Sequence, residues 1–586
     1  METIQSLLES KLRAALDPMP GVAPQVSAAN DSRFGDYQSN VAMILAKQQR
    51  ANPRQVAQQI LDRLDVSGIC QPPEIAGAGF INFRLTPAFL AARLEALHSD
   101  ERLGVPAPAV PLRIVIDFSS PNVAKPMHVG HIRSTILGDA LARIASFIGH
   151  EVIRDNHIGD WGTQFGMLLL GWKTELQPEA LAADPLSEME RIYKLISARC
   201  KADPDTLESA RGELVRLQGG DPENLSLWQE MIRLSQGQFD SIYGRLGVRF
   251  DVALGESFYN PHLKPVLDEL RSRGIAVESE GAACVFSDGK LPQEEDPFLI
   301  KDQDGWRPNP ALVQKSDGAF NYTTTDLATL RYRMETWAPH LIIYVTDGRQ
   351  QLHFRQFFAV FQRWMPEAAQ SVQLAHVWFG SILGEDGKPF KTRSGETIRL
   401  RDLLDEAEER ALKIITTKNP DLSEAEQREI ARIVGLGAVK YADLQPNRQS
   451  DYVFSWDKML SLQGNTAPYL LYSYVRIRSI FRKGATEVGS EPDAAIQLTE
   501  PAELALTRKL CLFGEVLPQV LQDFRPNLLA AYLYDLAASF HSFFEACPVL
   551  KAEPAVRHSR LVLCDVAARI LQRGLDLLGI EVPERM

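Results

Sequence analysis

The sequence predicts a multidomain α/β protein. It has a small N-terminal α/β domain, a Rossmann-type parallel-sheet domain with a helical insertion, and an all-helical C-terminal domain. Three observations support this prediction. The chain has 586 residues, more than one hydrophobic core can hold, because such cores stop growing near about 250 to 300 residues. A strand, a loop, a helix and a second strand follow one another from residue 113 to 154. Strand signals then fade toward the C terminus.

The N-terminal domain is predicted to span residues 1–108. It ends in Gly79 to Leu85, where apolar and polar residues alternate as in a strand. A proline-rich linker from Gly104 to Pro111 follows, since proline has no N–H to give to a sheet. The domain opens with apolar residues at helical spacing, namely Ile4, Leu7, Leu8 and Leu12.

The second domain is predicted to span residues 109–380. Arg113 to Phe118 has the apolar composition of a buried parallel strand, and a helix is predicted from near His128 to Ile148. His150 to Arg154 forms the next strand. Ligands of such βαβ units bind outside the carboxyl ends of the strands, where the loop at Ser119 to Asn122 lies.

The rest of the chain divides into regions with different hydrophobic patterns. Helical patterns dominate from Glu175 to Leu270, which predicts a connective insertion over about residues 175–300. Leu341 to Val345 belongs to a second α/β run. Residues 431–586 contain amphipathic patterns such as Leu561 to Leu578, and predict an all-helical domain.

Composition excludes several classes of protein. A net charge of −12 argues against coating nucleic acid by bulk electrostatics. Basic and acidic residues balance from Ala431 onward, so a polyanion would meet local patches there. The six cysteines are scattered without a C-x-x-C pair, so we expect no structural zinc. Without a signal peptide or an apolar run of about 18 residues, the prediction is a cytoplasmic protein with no membrane partner.

The segment His128-Val129-Gly130-His131 lies at the start of the predicted helix. Backbone N–H groups and the helix dipole favour phosphate at such a place, and both imidazoles can donate to phosphate oxygens. Gly130 lets a nucleotide approach the backbone. A zinc site would need further ligands and usually i, i+4 spacing. Histidines that only cap the helix are the remaining alternative, and the motif alone does not decide.

The surrounding sequence decides between these interpretations of the His128 to His131 segment. Its longest block strongly resembles the nucleotide-binding signature of class I arginyl-tRNA synthetases of bacterial type, and further blocks resemble the same family along essentially the whole chain. The resemblance implies an ATP-dependent ligase that converts L-arginine to arginyl-adenylate. The arginyl group is then transferred to the 3′-terminal ribose of tRNA(Arg), with release of AMP and pyrophosphate. The resembling blocks are Phe34 to Asn40, Asp117 to Thr135, Asn156 to Gly166, Tyr452 to Arg476 and Gly579 to Met586.

The resemblance also implies an ATP site, with Mg²⁺ accompanying the triphosphate. It also places a Lys-Met-Ser-Lys-Ser signature loop and a stem-contact segment in residues 381–430. The loop is degenerate here, because Thr392 stands where the family usually has the second lysine. In the family, the lysine at the place of Lys125 is thought to compensate for the missing loop lysine. The implied catalytic residues are Lys125, His128, His131 and Lys391, and the implied ATP-binding residues are His128, Gly130, His131, His376, Phe379, Gly380 and Lys391.

A selective arginine pocket needs carboxylates, because a guanidinium presents five donors in a flat fork and no acceptor. Asp117 ends a strand at the crevice, and Asp326 shares a helix face with Tyr322. Without the resemblance, Asp326 would be taken for a solvated helical charge. The resemblance places Tyr322 against the guanidinium, and Asn122 and Gln350 at the α-amino and carboxylate end.

Aromatic and basic residues interleave after Trp456, which suits either splayed RNA bases or a helix core with a basic face. The resemblance favours anticodon binding, by a chain expected to be a monomer. Two alternatives are a class I lysyl-type synthetase and a catalytically silent tRNA-binding paralogue. The implied tRNA-binding residues are Phe80 and Asn82, which match D-loop contacts, and Trp456, Asn465, Tyr469, Tyr472, Arg476 and Met586.

Overall fold

The computed structural model describes residues 1–17, 22–29, 31–390, 397–484 and 495–586. Contacts divide the chain into two units. One contains Met1–Ala109, Ala411–Gln445 and Asp457–Met586, and the other contains Val110–Arg410 and Pro446–Trp456. Within the described ranges, no helix combines the length and the apolar character that a bilayer span requires.

The N-terminal part is a small α/β fold, as predicted. Its four-stranded antiparallel sheet has the order β1-β2-β4-β3. Leu8 and Leu12 of the first helix are fully buried, which confirms the amphipathic pattern. The alternating segment forms β4 as far as Phe83, and Leu85 adds an isolated bridge to Cys70. The elements are α1 Ile4–Leu16, β1 Val26–Ala28, β2 Tyr37–Ser39, α2 Val41–Gln49, α3 Pro53–Leu61, β3 Glu74–Ala76, β4 Phe80–Phe83 and α4 Pro87–Ser99.

The second unit is built on a parallel sheet. Its elements are β5 Arg113–Asp117, α5 Val129–Ile148, β6 Glu151–Asp155, α6 Gln164–Glu175, α7 Pro178–Ala183, α8 Pro185–Ala202, α9 Pro204–Gln218, α10 Pro222–Leu246, α11 Glu256–Ser272, β7 Val277–Ser279, β8 Ala282–Val285, β9 Leu299–Asp302, β10 Gly305–Pro308, β11 Ala311–Gln314, α12 Tyr322–Trp337, β12 Leu341–Tyr344, α13 Gln351–Trp364, α14 Pro366–Ser371, β13 Gln373–His376, β14 Ile382–Leu383 and β15 Tyr452–Val453. A 3-10 turn at Gly348–Gln350 precedes α13.

The parallel sheet has the order β13-β12-β5-β6 and confirms the predicted βαβ unit. Its apolar strands are buried, since Val115, Ile116 and Ile343 are inaccessible to solvent. Helix α5 packs closely on the end of β5, because a Cβ at Gly138 would lie 2.2 Å from the Phe118 side chain. This packing fixes the position at which the loop after β5 leaves the sheet.

The region between the two α/β runs is helical from α7 to α11, as the periodicity indicated. Short strands follow that the sequence analysis did not foresee. They form a three-stranded sheet of order β11-β8-β7 and a β9-β10 hairpin. Strands of three or four residues are too short to show a clear alternation of apolar and polar positions.

The C-terminal part is helical, with one correction. Residues Pro446–Trp456 belong to the parallel-sheet unit and contain β15, which pairs with β14. Two residues of strand carry no periodic signal, so the sequence analysis placed them in an all-helical domain. Leu470 and Leu471 are fully buried core residues. The helices are α15 Leu400–Lys418, α16 Glu424–Leu444, α17 Trp456–Met459, α18 Ala467–Gly484, α19 Pro501–Cys511, α20 Phe513–Asp523, α21 Asn527–Ala546 and α22 Pro554–Leu577.

Within the first unit, the N-terminal fold packs on the C-terminal helices through buried and partly buried polar contacts. The Tyr37 hydroxyl donates to Glu515 at 2.9 Å, and Arg508 lies 2.8 Å from Asp36. Asp36 also accepts the backbone N–H of Leu85 at 2.7 Å. These bonds tie the loop before β2 and the end of the small sheet to α19 and α20.

Candidate active site

The carboxyl ends of the four parallel strands carry polar side chains in one row. Strand register pairs Asp117 with Asp155 on one side and with Tyr344 on the other, and Tyr344 pairs with His376. Residues in register lie side by side at the same edge of a sheet. The row therefore runs Asp155, Asp117, Tyr344, His376 along the edge where ligands of such sheets bind.

The loop after β5 has an unusual backbone. Ser119, Ser120 and Ala124 all have positive φ values, of 74°, 50° and 62°, and such conformations cost free energy in residues other than glycine. Buried side chains hold two of them in place. The Ser134 hydroxyl accepts the Ser119 N–H at 2.9 Å, and the Asn156 carbonyl accepts the Ser120 N–H at 3.0 Å. The loop is thus held rigidly beside the sheet edge.

His128 and His131 form reciprocal caps on α5. The His128 Nδ1 accepts the Gly130 N–H at 3.1 Å, and the His131 Nδ1 accepts the His128 N–H at 3.1 Å. Both histidines therefore cap the helix, and the Nε2 atom of each ring remains as a donor. Burial lowers the pKa of His131 to about 3 and lowers that of His128. The two rings are neutral N–H donors at physiological pH.

The cations expected near the triphosphate fall into two groups. Lys125 is exposed, and its Nζ lies 5.1 Å from the centre of the Tyr193 ring in α8. Lys391, together with Thr392 and Arg393 of the degenerate loop, lies outside the described residues. Lys388 precedes it and is exposed, with its backbone N–H donating to Asp386 at 3.1 Å.

The segment expected to read adenine leaves β13 at His376. The His376 ring stacks on Phe354 with ring centres 4.1 Å apart, and its Nε2 lies 2.8 Å from the Thr346 hydroxyl. Burial lowers the pKa of His376 to about 4, so this ring is also neutral. The Phe379 side chain is buried, and its carbonyl accepts the Gly348 N–H at 3.1 Å.

Residues 446–456 hold the segment after His376 in place, and nothing in the sequence indicated this contact. The Gly380 N–H donates to the Arg448 carbonyl at 2.9 Å, and the Arg448 guanidinium donates to the Trp378 carbonyl at 2.5 Å. The buried Arg133 of α5 donates to the Gly380 carbonyl at 2.7 Å and to the Ser450 carbonyl at 3.3 Å.

Asp117 already has an arginine partner within the chain. Arg333 of α12 is fully buried, and its Nη2 lies 2.6 Å from Asp117 and 2.8 Å from Asp155. The other Asp117 oxygen accepts the Ser120 hydroxyl at 3.2 Å. Asp117 can therefore offer only one oxygen to a substrate, although the sequence analysis expected carboxylates placed for bidentate contact.

Asp326 and Tyr322 share the first turns of α12, as predicted. The Asp326 Oδ2 lies 2.5 Å from the His353 Nε2, and the Tyr322 ring meets the His353 ring edge-on at 4.5 Å. Tyr322 is 59% exposed, so its ring faces open space. The sequence analysis did not single out His353, which follows the predicted Gln350 by three residues.

Glu256 is a further carboxylate beside this helix. It begins α11 directly after Gly255. Burial raises its pKa to about 7, and the nearby charges of Asp160 and Asp326 add to the effect. Asp160 itself accepts the Ser257 N–H at 2.8 Å and the Ser257 hydroxyl at 2.6 Å. An acidic residue in the first turn of a helix was the only sequence signal for Glu256.

Asn122 and Gln350 lie on the exposed sides of two loops at the sheet edge. The Asn122 backbone bridges to Gly159, and a Cβ on that glycine would lie 2.2 Å from the Asn122 Oδ1. Gly159 therefore allows the two loops to approach closely. Gln350 closes the 3-10 turn that follows β12.

Comparison with known proteins agrees with this geometry. The family model described as tRNA synthetases class I (R), catalytic domain, matches residues 94–456. The Arginyl tRNA synthetase N terminal domain matches residues 2–85, and the DALR anticodon binding domain matches residues 470–586. The chain belongs to the arginyl-tRNA synthetase family.

Relatives in this family align over the whole chain. An Arginine--tRNA ligase of Synechococcus sp. is 48% identical over 593 residues, covering 100% of this chain and 99% of the relative. An Arginine--tRNA ligase of Laribacter hongkongensis is 47% identical and fully covered. Two solved arginyl-tRNA synthetases superpose over the full length of both chains. The Thermus thermophilus structure has a TM-score of 0.84 at 27% identity, and the Plasmodium falciparum structure 0.83 at 28%.

The residues expected to bind tRNA lie in several places. Tyr469, Tyr472 and Arg476 share one face of α18, where Tyr472 is 42% exposed and Arg476 lies over the Phe544 ring. Asn465 accepts the Tyr441 hydroxyl at 2.5 Å. Met586 is partly exposed at the chain end.

Two further members of this set are less accessible, and a third belongs to the other unit. Phe80 is partly buried in β4, and Asn82 of the same strand is only 6% exposed. Trp456 lies in the parallel-sheet unit, where it packs edge-on against Phe454. Trp456 and the aromatic residues that follow it in the sequence therefore belong to different units.

Proposed function

We propose that this chain activates L-arginine with ATP to arginyl-adenylate and transfers the arginyl group to the 3′-terminal ribose of tRNA(Arg). AMP and pyrophosphate are released. One observation carries the proposal. Neutral imidazole donors at a helix N terminus and a cluster of carboxylates lie along the loops at one edge of a class I parallel sheet. The first suits a triphosphate, and the second suits a guanidinium.

The test is to charge total tRNA in the presence of ATP with each amino acid in turn. Arginine alone should become esterified. Charging with lysine would favour a lysyl-type enzyme, whose compact ammonium substrate needs no fork of carboxylates. No charging with any amino acid would favour a catalytically silent tRNA-binding paralogue.

At the nucleotide end, His128 and His131 donate their Nε2–H groups to phosphate oxygens, and Gly130 leaves room for the nucleotide. Charge builds on the leaving pyrophosphate as the arginine carboxylate oxygen attacks the α-phosphorus in line. Lys125 and Lys391 are the cations proposed to meet that charge. His376, Phe379 and Gly380 position adenine. Mg²⁺ enters with ATP, because phosphate oxygens are its principal ligands.

At the amino-acid end, Asp326 and Glu256 bind the guanidinium, and Tyr322 covers it. Among the described residues neither oxygen of Glu256 has a hydrogen-bond partner, so both can make a bidentate contact, whereas Asp326 shares one oxygen with His353. Asp117 adds its single available oxygen. Asn122 and Gln350 hold the α-amino and carboxylate end.

In the second step, a hydroxyl oxygen of the terminal ribose attacks the arginyl carbonyl carbon, and AMP leaves. Residues 431–586 bind the anticodon, and the contact residues are Trp456, Asn465, Tyr469, Tyr472, Arg476 and Met586. Residues 1–108 bind the D-loop through Phe80 and Asn82. Residues 109–380 hold the catalytic site, and 381–430 the signature loop and stem contact. We propose a monomer that works in the cytoplasm, because translation consumes its product there.

A further inference from the structure

A buried ion cluster lies directly behind the arginine site. Asp117 and Asp155 end adjacent parallel strands and are partners in register. Between them, Arg333 reaches both carboxylates. Its Nη2 lies 2.6 Å from Asp117 and 2.8 Å from Asp155, and its Nε donates to Asp155 at 3.0 Å. The Tyr344 ring lies 5.3 Å from the guanidinium carbon and forms the wall of the cluster.

The cluster has more acidic groups than basic groups. Two carboxylates face one guanidinium at the edge of the sheet where a cationic substrate would bind, and burial raises the pKa of Asp155. Burial lowers the pKa of Arg333, but Asp117 and Asp155 together hold it well above the ordinary value. Buried ion pairs add little to stability relative to a packed apolar core, because desolvation offsets their attraction. A role in geometry accounts for the cluster better.

We propose that Arg333 is a positioning residue that presents Asp117 to the substrate arginine. By holding one carboxylate oxygen, Arg333 fixes the side-chain rotamer of Asp117 and turns the other oxygen toward the pocket, beside Ser120. It also cancels the repulsion that two adjacent carboxylates would otherwise experience. This inference rests on the proposed role of Asp117 in arginine binding.

The shape of the guanidinium matters as well as its charge. One Nη2 atom bridges both carboxylates while Nε holds the second one, an arrangement that a single ammonium nitrogen cannot reproduce. Arg333→Lys therefore keeps a positive charge and removes the fork. Arg331, two residues earlier on α12, pairs with Glu269 at 2.5 Å and packs on Trp364. Arg331→Lys is the matched control.

The full-length enzyme is assayed with tRNA, and KM for arginine and for ATP are measured separately. For Arg333→Lys we expect KM for arginine to rise about tenfold or more, with KM for ATP changed by less than about twofold. Arg331→Lys should change neither constant. A purely structural role would lower the melting temperature and affect both substrates alike. Equal shifts for arginine and ATP, or no shift in a folded variant, would overturn the inference.

Asp155→Asn keeps the shape of the cluster and weakens its contact with Arg333. It is the variant to measure if Arg333→Lys does not fold. We expect KM for arginine to rise about threefold, and an unchanged value would overturn the inference. Asp117→Asn is measured alongside. If it raises KM for arginine while the other two variants do not, the positioning role alone fails. If it leaves that constant unchanged, the role proposed for Asp117 in the pocket fails too.

Discussion

The two ends of the active site are tuned in opposite ways. At the nucleotide end, burial removes charge from imidazoles and lowers the pKa of His131 to about 3 and that of His376 to about 4. At the amino-acid end, burial and neighbouring carboxylates raise the pKa of Glu256 to about 7. In the proposed mechanism, the polyanionic substrate meets oriented neutral donors, whereas the cationic substrate meets several carboxylates, of which Glu256 is only partly ionised near neutral pH.

This difference has a consequence for catalysis. A neutral donor at a helix N terminus orients a phosphate without holding it so tightly that the product cannot leave. In the proposed mechanism, Lys125 and the degenerate loop, where Thr392 stands in the place of a lysine, then neutralise the charge that develops on pyrophosphate. Four experiments test this comparison.

The largest expected effect concerns tRNA. Because Thr392 stands where the family usually has the second lysine of the loop, we expect arginine-dependent ATP–pyrophosphate exchange to be almost absent with enzyme, arginine and ATP alone. Exchange should appear when tRNA(Arg) is added, even with an oxidised terminal ribose that cannot accept the ester. Vigorous exchange without tRNA would mean that the cations present are sufficient.

His131→Ala should slow adenylate formation by about 100-fold or more, because its Nε2–H meets charge that develops in the transition state. Binding of ATP in the ground state should change little. His131→Gln is the control for the helix cap, since glutamine at this position can still accept the His128 N–H. Pre-steady-state rates measure the step. A normal rate in either variant would contradict the catalytic role of this ring.

Asp326→Asn should raise KM for arginine about 10- to 100-fold, because it removes a charge-assisted partner worth about 1.5 to 3 kcal/mol. KM for ATP should stay nearly constant. Glu335→Gln, an exposed change on the same helix, should affect neither constant. Steady-state charging assays distinguish the two substrates. Equal weakening of arginine and ATP by Asp326→Asn would be inconsistent with a guanidinium pocket.

The smallest expected effect is the pH dependence of KM for arginine. Because the pKa of Glu256 is about 7, its carboxylate is protonated below that pH and cannot pair with the guanidinium. KM for arginine should therefore fall by up to about tenfold as pH rises from about 6 to about 8. In Glu256→Gln the constant should be high and should lose this dependence. The same pH profile in the variant and the wild type would assign the titration to another group.

The sequence by itself determined the features that depend on neighbouring residues. The His128 and His131 caps join atoms two and three residues apart, and the βαβ unit follows from hydrophobic runs whose period is visible in a short window. The helices of the C-terminal part were predictable for the same reason. These features need only local hydrogen bonds and the burial of one apolar face.

Only the tertiary structure decided how the arginine end is assembled. Arg333 reaches Asp117 across 216 residues of chain, His353 reaches Asp326 across 27, and Glu256 arrives on a third helix. Parallel strands must be joined by long crossovers, so side chains that meet at their carboxyl ends come from distant positions. A local window cannot show which of many acidic and basic residues will share that edge. The partners of Asp117 and Asp326 therefore emerged only from strand register and helix packing.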